Sequence, residues 1–165
     1  MNCGNMAEAM QEIIYEKNFE IEDSYWWFIA KFKIMDSLIR KYVPSGRTIL
    51  DVGCGTGGFA AMMKKNYEMI CLDTSRTALE FCRKRGLDRQ FNGLLGEFDY
   101  KSTTVDAVTM LDVVEHIEDD EGALRDAFRL LPDGGVAFIT VPAYQWLWSF
   151  HDVIHMHYRR YSRRS

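Results

Sequence analysis

The chain has 165 residues, of which 47% are hydrophobic, and this length and composition predict one globular domain and exclude a disordered chain. Its 24 acidic residues outnumber 20 basic residues, so the net charge of -4 argues against a protein that coats nucleic acid. The first residues lack the apolar run of a signal peptide, and no uncharged apolar segment approaches about 18 residues. These features predict a cytoplasmic protein without a membrane span.

The leader, residues 1–46, is predicted to be helical and to pack on the domain that follows. A first helix is expected over residues 7–19, and Asp23 or Ser24 is expected to cap a second. The second helix carries apolar residues at spacings of three and four, which predicts one stripe facing a core. These residues are Trp26, Trp27, Phe28, Phe32, Met35, Leu38 and Ile39. Pro44-Ser45-Gly46 then breaks the chain.

Strand and helix patterns alternate through the second region, residues 47–165. Five apolar runs predict strands, the first ending at Asp51 and the others at residues 67–72, 89–94, 105–113 and 136–141. Thr74 or Ser75 is expected to cap the helix after the second strand. Near-continuous apolar strands joined by helices predict an α/β fold with a doubly wound, mostly parallel sheet. Ligands bind such sheets at the carboxyl ends of the strands.

The segment between the first strand and its helix carries the clearest functional pattern. Gly53-Cys54-Gly55-Thr56-Gly57-Gly58 fits G-x-G-x-x-G, which brings backbone N–H groups close to a polar ligand in dinucleotide enzymes and others. Asp73 lies about 20 residues on, where an acid holds ribose hydroxyls or caps the next helix. Asp51 favours a ligand with sulfonium and ammonium groups, because a carboxylate would repel a pyrophosphate. Capping of the turn is the other interpretation of Asp51.

Three segments resemble the motifs of class I S-adenosylmethionine-dependent methyltransferases. They are residues 49–57 around the glycine loop, residues 105–117 at the fourth strand and residues 129–135 before the fifth. The leader Tyr25-Trp26-Trp27-Phe28 and residues 151–162 are similar to a type 11/12-like subgroup that acts on small molecules, including enzymes near ubiquinone and polysaccharide biosynthesis. The resemblance implies a Rossmann-like fold, S-adenosylmethionine as cofactor and methyl transfer to a small-molecule acceptor, with oxygen as the favoured atom.

The same resemblance implies contacts to each part of the cofactor. The glycine loop would surround the methionine part, Asp73 the ribose and Thr74 the adenine, with Leu111 and Asp112 closing the other side. The implied cofactor residues are Asp51, Gly53, Cys54, Gly55, Asp73, Thr74, Leu94, Leu111 and Asp112. Many relatives carry an acid after the third strand, whereas Asn92 is the nearest polar residue here, so the adenine contacts near Leu94 stay open.

A hydroxyl acceptor must lose its proton, so methyl transfer to oxygen needs a base. His116 follows the fourth strand at the mouth of the cleft and is the predicted catalytic base, unless it only packs there. Trp27, His116 and His151 are the predicted substrate contacts. The rings of residues 25–27 either cover the cofactor or, the favoured interpretation, anchor the leader in the core. Lys31 or Lys33 could contact the cofactor carboxylate, but a solvated helix face is the favoured assignment for both.

No metal site is predicted. The four cysteines form no C-x-x-C pair, which argues against a zinc or redox motif, and the histidines of residues 151–157 are assigned to a surface or substrate-facing loop.

The C-terminal part predicts fewer strands than the family has. A complete class I methyltransferase has a seven-stranded sheet, but residues 142–165 predict no further strand, and Tyr161-Ser162 is expected to begin a helix. We therefore expect the last strands to be missing and the fifth strand to be an open edge, through which the chain could form a homo-oligomer. Two alternatives to the methyltransferase stay open: a cofactor-binding module without turnover and a nicotinamide-dependent oxidoreductase.

Overall fold

The computed structural model describes residues 3–99 and 103–165, with side chains from residue 12 onward. Five parallel strands form one sheet in the order β3-β2-β1-β4-β5. The strands are β1 (Thr48–Val52), β2 (Glu68–Asp73), β3 (Gln90–Asn92), β4 (Ala107–Leu111) and β5 (Val136–Thr140). The helices are α1 (Cys3–Ile21), α2 (Trp26–Tyr42), α3 (Gly58–Met63), α4 (Arg76–Lys84), α5 (Asp120–Leu130) and α6 (Phe150–Ile154). The predicted parallel α/β architecture is confirmed.

The first strand, β1, lies at the centre of the sheet, between β2 and β4. The chain adds β2 and β3 on one side of β1 and then crosses to the other side to add β4 and β5. In the register, Asp51 lies opposite Cys71 on one side and Thr109 on the other. Ile49 and Leu50 are fully buried on opposite faces of the sheet, in two separate apolar clusters. The carboxyl ends of β1, β2 and β4 therefore meet at one edge, where a crevice forms at the switch point.

The leader packs on the sheet through a narrower stripe than the sequence predicts. Phe32, Met35 and Ile39 of α2 are buried, but Trp26 is 65% and Trp27 52% exposed. The interpretation that the rings of residues 25–27 anchor the leader in the core is therefore wrong, as is the inclusion of Leu38, which is also exposed. The predicted caps are wrong too, because Tyr25 is the N-cap of α2 and no side chain caps it.

The segment after β5 folds back against the residues that follow β4, where the Tyr158 N–H donates to the Glu115 carbonyl. Tyr161 forms an isolated parallel bridge with Ala143, and Arg163 and Arg164 form a turn, so the predicted helix start is wrong. The buried Asp152 accepts hydrogen bonds from Arg160 Nε at 2.7 Å and Nη2 at 2.8 Å. This ion pair fixes the two halves of the segment against each other.

The edge strands of the sheet are β3 and β5. On β5, Ile139 is 40% exposed, so one face of this edge strand is only partly covered. Within residues 3–99 and 103–165, no helix has the length and apolar character needed to cross a membrane. The predicted loop at residues 96–104 begins in a 3₁₀ turn, Leu95–Glu97, and residues 100–102 lie outside the described residues.

Candidate active site

The glycine loop turns the chain sharply from β1 into α3. Gly53, Gly55 and Gly57 have positive φ angles, which glycine adopts without steric cost. A side chain at Gly53 would clash with Val113, 2.6 Å away, but one at Gly55 would meet no atom within 4 Å. The loop is thus packed tightly against the end of β4 at Gly53 and open at Gly55, where a ligand can approach the backbone closely.

Asp73, at the end of β2, holds the glycine loop in place. Its Oδ2 accepts a hydrogen bond from the Gly55 N–H at 2.9 Å, and its Oδ1 accepts one from the Ser75 N–H at 2.9 Å. Burial raises the pKa of Asp73, while these backbone donors act in the opposite direction. Ser75 caps the N-terminus of α4, because its hydroxyl accepts a hydrogen bond from the Ala78 N–H at 3.2 Å. Asp73 therefore joins the loop to the neighbouring strand rather than capping the helix.

Asp51 lies almost entirely buried at the switch point, with 4% of its surface exposed. The Thr109 hydroxyl, on β4, donates a hydrogen bond to its Oδ1 at 2.6 Å. Burial raises the pKa of Asp51 to about 7, against the lowering effect of that hydrogen bond. A cation beside this carboxylate would replace lost solvation and favour its charged form.

Asp112, just after β4, carries the third carboxylate of the crevice in a left-handed conformation, with φ at 57°. Thr140 Oγ1 donates to its Oδ1 at 2.7 Å, and Lys31 Nζ donates to its Oδ2 at 2.7 Å. Burial alone would raise the pKa of Asp112, but the Lys31 ammonium, the Thr140 hydroxyl and His116 together outweigh burial and lower it. The assignment of Lys31 to a solvated helix face is wrong, because its side chain is only 16% exposed.

The leader contacts the glycine loop through a buried ion pair that the sequence analysis did not predict. Glu22 accepts hydrogen bonds from the Thr56 hydroxyl and from Arg85 Nη2, the latter at 2.8 Å. Arg85 Nε also donates to the Thr56 carbonyl at 3.0 Å. Tyr15 of α1 reaches the same region, where burial and the charge of Asp73 raise the pKa of its hydroxyl to about 12. The leader thus forms one wall of the crevice.

Histidine side chains cluster on the opposite side of the crevice, around His116. Its ring lies edge-on to that of His157, with ring centroids 4.7 Å apart. His116 is exposed to solvent on one side. Partial desolvation of its ring lowers the pKa of His116, and the neighbouring histidines add to this effect, while a hydrogen bond to the His155 backbone raises it. A neutral imidazole oriented by one hydrogen bond is the form that accepts a proton. His157 is held in turn by Asp152, at 2.9 Å from Nδ1 to Oδ1.

Glu115 lies beside these rings and is 1% exposed. Within the described part of the chain its Oε2 has no hydrogen-bond partner, and burial raises its pKa to about 7. Donor atoms of Glu115, His116 and His157 lie within 4.8 Å of one another, so these three side chains could hold a divalent cation. The prediction of a site without metal stays untested.

The remaining predicted site residues lie at the rim. Thr74 is exposed, next to Asp73, and the Asn92 side chain donates to the Thr74 carbonyl at 2.9 Å. Leu94 is 62% exposed after β3. His151 is exposed and its ring lies 4.2 Å from that of His155. The assigned contacts of these residues, and of Trp27, stay predictions.

Comparison with known proteins identifies the class to which this crevice belongs. A family described as "Methyltransferase domain" matches residues 29–165, and the chain belongs to that family. Similar proteins include the cypemycin N-terminal methyltransferase of a Streptomyces species, 36% identical over 107 residues, which cover 59% of this chain and 44% of that protein. The ubiquinone biosynthesis O-methyltransferase of Alkalilimnicola ehrlichii is 36% identical over 109 residues, 58% of this chain and 42% of that protein.

Solved structures have the same fold. Streptomyces venezuelae DesVI superimposes with a TM-score of 0.63 at 25% identity, covering 73% of this chain and 53% of DesVI. A methyltransferase-like protein of Methanococcus maripaludis gives 0.67 at 21% identity, covering 79% of this chain and 63% of that one. The chain thus spans less than half the length of the two curated relatives.

The crevice fits S-adenosylmethionine, the cofactor that the family implies. The free space at Gly55 leaves the loop backbone accessible. Asp51 and Asp112 place carboxylates on either side of the switch point, which suits a ligand carrying sulfonium and ammonium cations. A dinucleotide would bring its pyrophosphate to the same buried acid, so the structure favours the methyltransferase cofactor over the nicotinamide alternative.

Proposed function

We propose that the chain is the cofactor-binding core of an S-adenosylmethionine-dependent methyltransferase that methylates a small molecule, with oxygen as the favoured acceptor. The observation that carries this proposal is the open glycine loop with Asp51 buried beneath it and Asp73 hydrogen-bonded to Gly55 at 2.9 Å. When bound, the cofactor supplies an activated methyl group for in-line displacement. The protein then needs mainly to position the two reactants and exclude water.

Different residues around the crevice contact different parts of the cofactor. Gly53 and Gly55 offer their backbone to the methionine part, with Asp51 and Asp112 compensating its positive charges. Asp73 holds the ribose hydroxyls, and Thr74 and Leu94 lie along the adenine. Lys31 lies beside the same carboxylates, at 2.7 Å from Asp112 Oδ2, and can turn toward the cofactor carboxylate when the cations of the ligand take its place.

His116 accepts the proton of the acceptor hydroxyl. Its pKa is lowered by partial desolvation, so the neutral base is the dominant form near pH 7. The contact with His157, fixed by Asp152, keeps the ring from turning away. Trp27 and His151 contact the acceptor from the rim. The curated O-methyltransferase relative supports oxygen as the acceptor atom, while the N-terminal methyltransferase makes nitrogen the competing one.

An acceptor panel tests the proposal. Hydroxylated aromatic compounds, sugars and amines are incubated with S-adenosylmethionine, and formation of the demethylated cofactor is followed. We expect turnover with a hydroxyl acceptor, and a roughly 10²–10⁴-fold lower kcat for His116→Gln with unchanged cofactor affinity. The matched control is His151→Gln, which should change KM more than kcat. Turnover of amines alone would contradict the choice of oxygen.

Two further outcomes have defined meanings. If turnover disappears with a chelator and returns with a divalent cation, Glu115, His116 and His157 act as ligands and His116 is not the base. If S-adenosylmethionine binds but no acceptor is methylated, the chain is a cofactor-binding module without turnover.

A further inference from the structure

Three thiols converge beneath the glycine loop. Cys54 belongs to the loop, Cys71 to β2 and Cys82 to α4, and their sulfur atoms all lie within 4.8 Å of one another. Cys71 and Cys82 are buried and Cys54 is half-buried. The residues come from three separate elements, so no short cysteine spacing in the sequence reveals the cluster. It lies behind the loop and is separate from the histidine cluster around His116.

The spacing of the sulfur atoms suits a shared ion. Cys54 Sγ and Cys82 Sγ are 3.7 Å apart. Two thiolates bound to one ion with metal–sulfur bonds of about 2.3 Å lie roughly 3.8 Å apart at a tetrahedral angle and roughly 4.0 Å apart at a trigonal angle. These two side chains are therefore already at the separation that a common metal ion imposes, and no change in the fold is needed to bring them together.

An ion would bind these side chains as thiolates, so all three thiols lose their protons to solvent as it binds, as thiol ligands generally do. The half-buried position of Cys54 at the crevice gives an ion a route from solvent to the cluster.

The donor set selects the kind of ion. Three sulfurs without a fourth side-chain ligand among the described residues suit a soft ion that accepts three-coordination, whereas zinc prefers four ligands. A backbone oxygen also lies close to the three sulfur atoms: the Gly55 carbonyl accepts a hydrogen bond from the Cys82 thiol at 3.3 Å. We propose that Cys54, Cys71 and Cys82 form a three-thiolate site for a thiophilic metal ion, and that monovalent copper is the ion that fits it best.

An ion in this position would join the glycine loop, β2 and α4. Because the three thiolates are brought together only in the folded chain, binding stabilises the fold by mass action. At a hundredfold excess of free ion over Kd, the expected rise in Tm is roughly 5–10 °C for a chain of this size.

The test uses reduced, oxygen-free protein carrying Cys3→Ser, which leaves the three clustered thiols as the only thiols in the chain. Monovalent copper is titrated in competition with a chromophoric chelator. We expect one ion per chain, a higher Tm, and at least tenfold weaker binding in Cys71→Ser and in Cys82→Ser. Magnesium, which thiolates do not favour, is the control ion and should leave Tm unchanged.

A second measurement covers variants that fail to fold. In the Cys3→Ser protein, one equivalent of copper should protect Cys54, the half-buried thiol, from alkylation. Failure to bind one ion per chain, or alkylation of Cys54 at the same rate with and without copper, would overturn the proposal. Binding by folded Cys71→Ser and Cys82→Ser as tight as by the Cys3→Ser parent would do the same.

Discussion

Replacement of Arg85 by methionine tests how the leader holds the glycine loop. The substitution keeps most of the apolar stem but leaves the Glu22 carboxylate, 7% exposed, with the Thr56 hydroxyl as its remaining partner among these contacts. Removing one partner of a buried ion pair costs about 3–5 kcal/mol, because the other charge stays buried. Glu22→Gln should lower the free energy of unfolding by less, about 1–2 kcal/mol. Arg85 still donates hydrogen bonds to Asp23, at 2.8 Å, and to two backbone carbonyls in that variant.

Urea unfolding followed by circular dichroism measures these differences. The matched control is Arg83→Met on the same helix, since Arg83 is exposed and its change should stay within about 0.5 kcal/mol. The double variant of Glu22 and Arg85 should lose less than the sum of the single losses. The reasoning is refuted if Arg85→Met costs no more than Arg83→Met, or if Glu22→Gln costs more than Arg85→Met.

Three further predictions concern the crevice and the sheet edge. Because the folded-state pKa of Asp51 is raised to about 7, above its ordinary value of 3.8, its stabilising effect on the unliganded protein is present below about pH 4 and is lost as pH rises toward 7. Cofactor affinity should change in the opposite direction, rising by up to about tenfold per pH unit to a plateau above pH 7. Titration calorimetry from pH 5.5 to 8.5 measures this pH dependence. An equal rise in the cofactor affinity of Asp51→Asn would contradict the prediction. Lys31→Met should lower the free energy of unfolding by about 1–2 kcal/mol, and the exposed control Lys33→Met should leave it nearly unchanged in the same urea experiment. We expect self-association through β5, and Ile139→Lys should abolish it in sedimentation experiments; a wild-type chain that stays monomeric at high concentration would rule it out.

The sequence predicts the sheet and the cofactor loop well for a physical reason. Buried parallel strands must be apolar along their length, and a loop that turns from strand to helix at positive φ needs glycine, so both leave local patterns. Asp51 and Asp73 are found because they lie at the carboxyl ends of such strands. Their partners, Thr109 and Ser75, lie on a neighbouring strand and at the next helix start.

Contacts between distant segments leave no comparable pattern. The apolar pattern of the second helix begins at Trp26 and includes Phe32, but the width of the contact with the sheet decides that only Phe32 of these two is buried. Lys31 is drawn inward by Asp112, 81 residues away. The final residues turn back because Asp152 pairs with Arg160, and no helix forms there. Periodicity within one element contains none of this information.

The central claim, that the crevice binds S-adenosylmethionine, is tested most directly by isothermal titration calorimetry. We expect one molecule of S-adenosylmethionine or of its demethylated product to bind per chain, and no heat with NAD. Asp73→Asn should weaken both sulfur ligands by about 10–100-fold, the value of one or two charged hydrogen bonds to the ribose. The absence of heat with either sulfur ligand, in a chain shown to be folded, would contradict the claim.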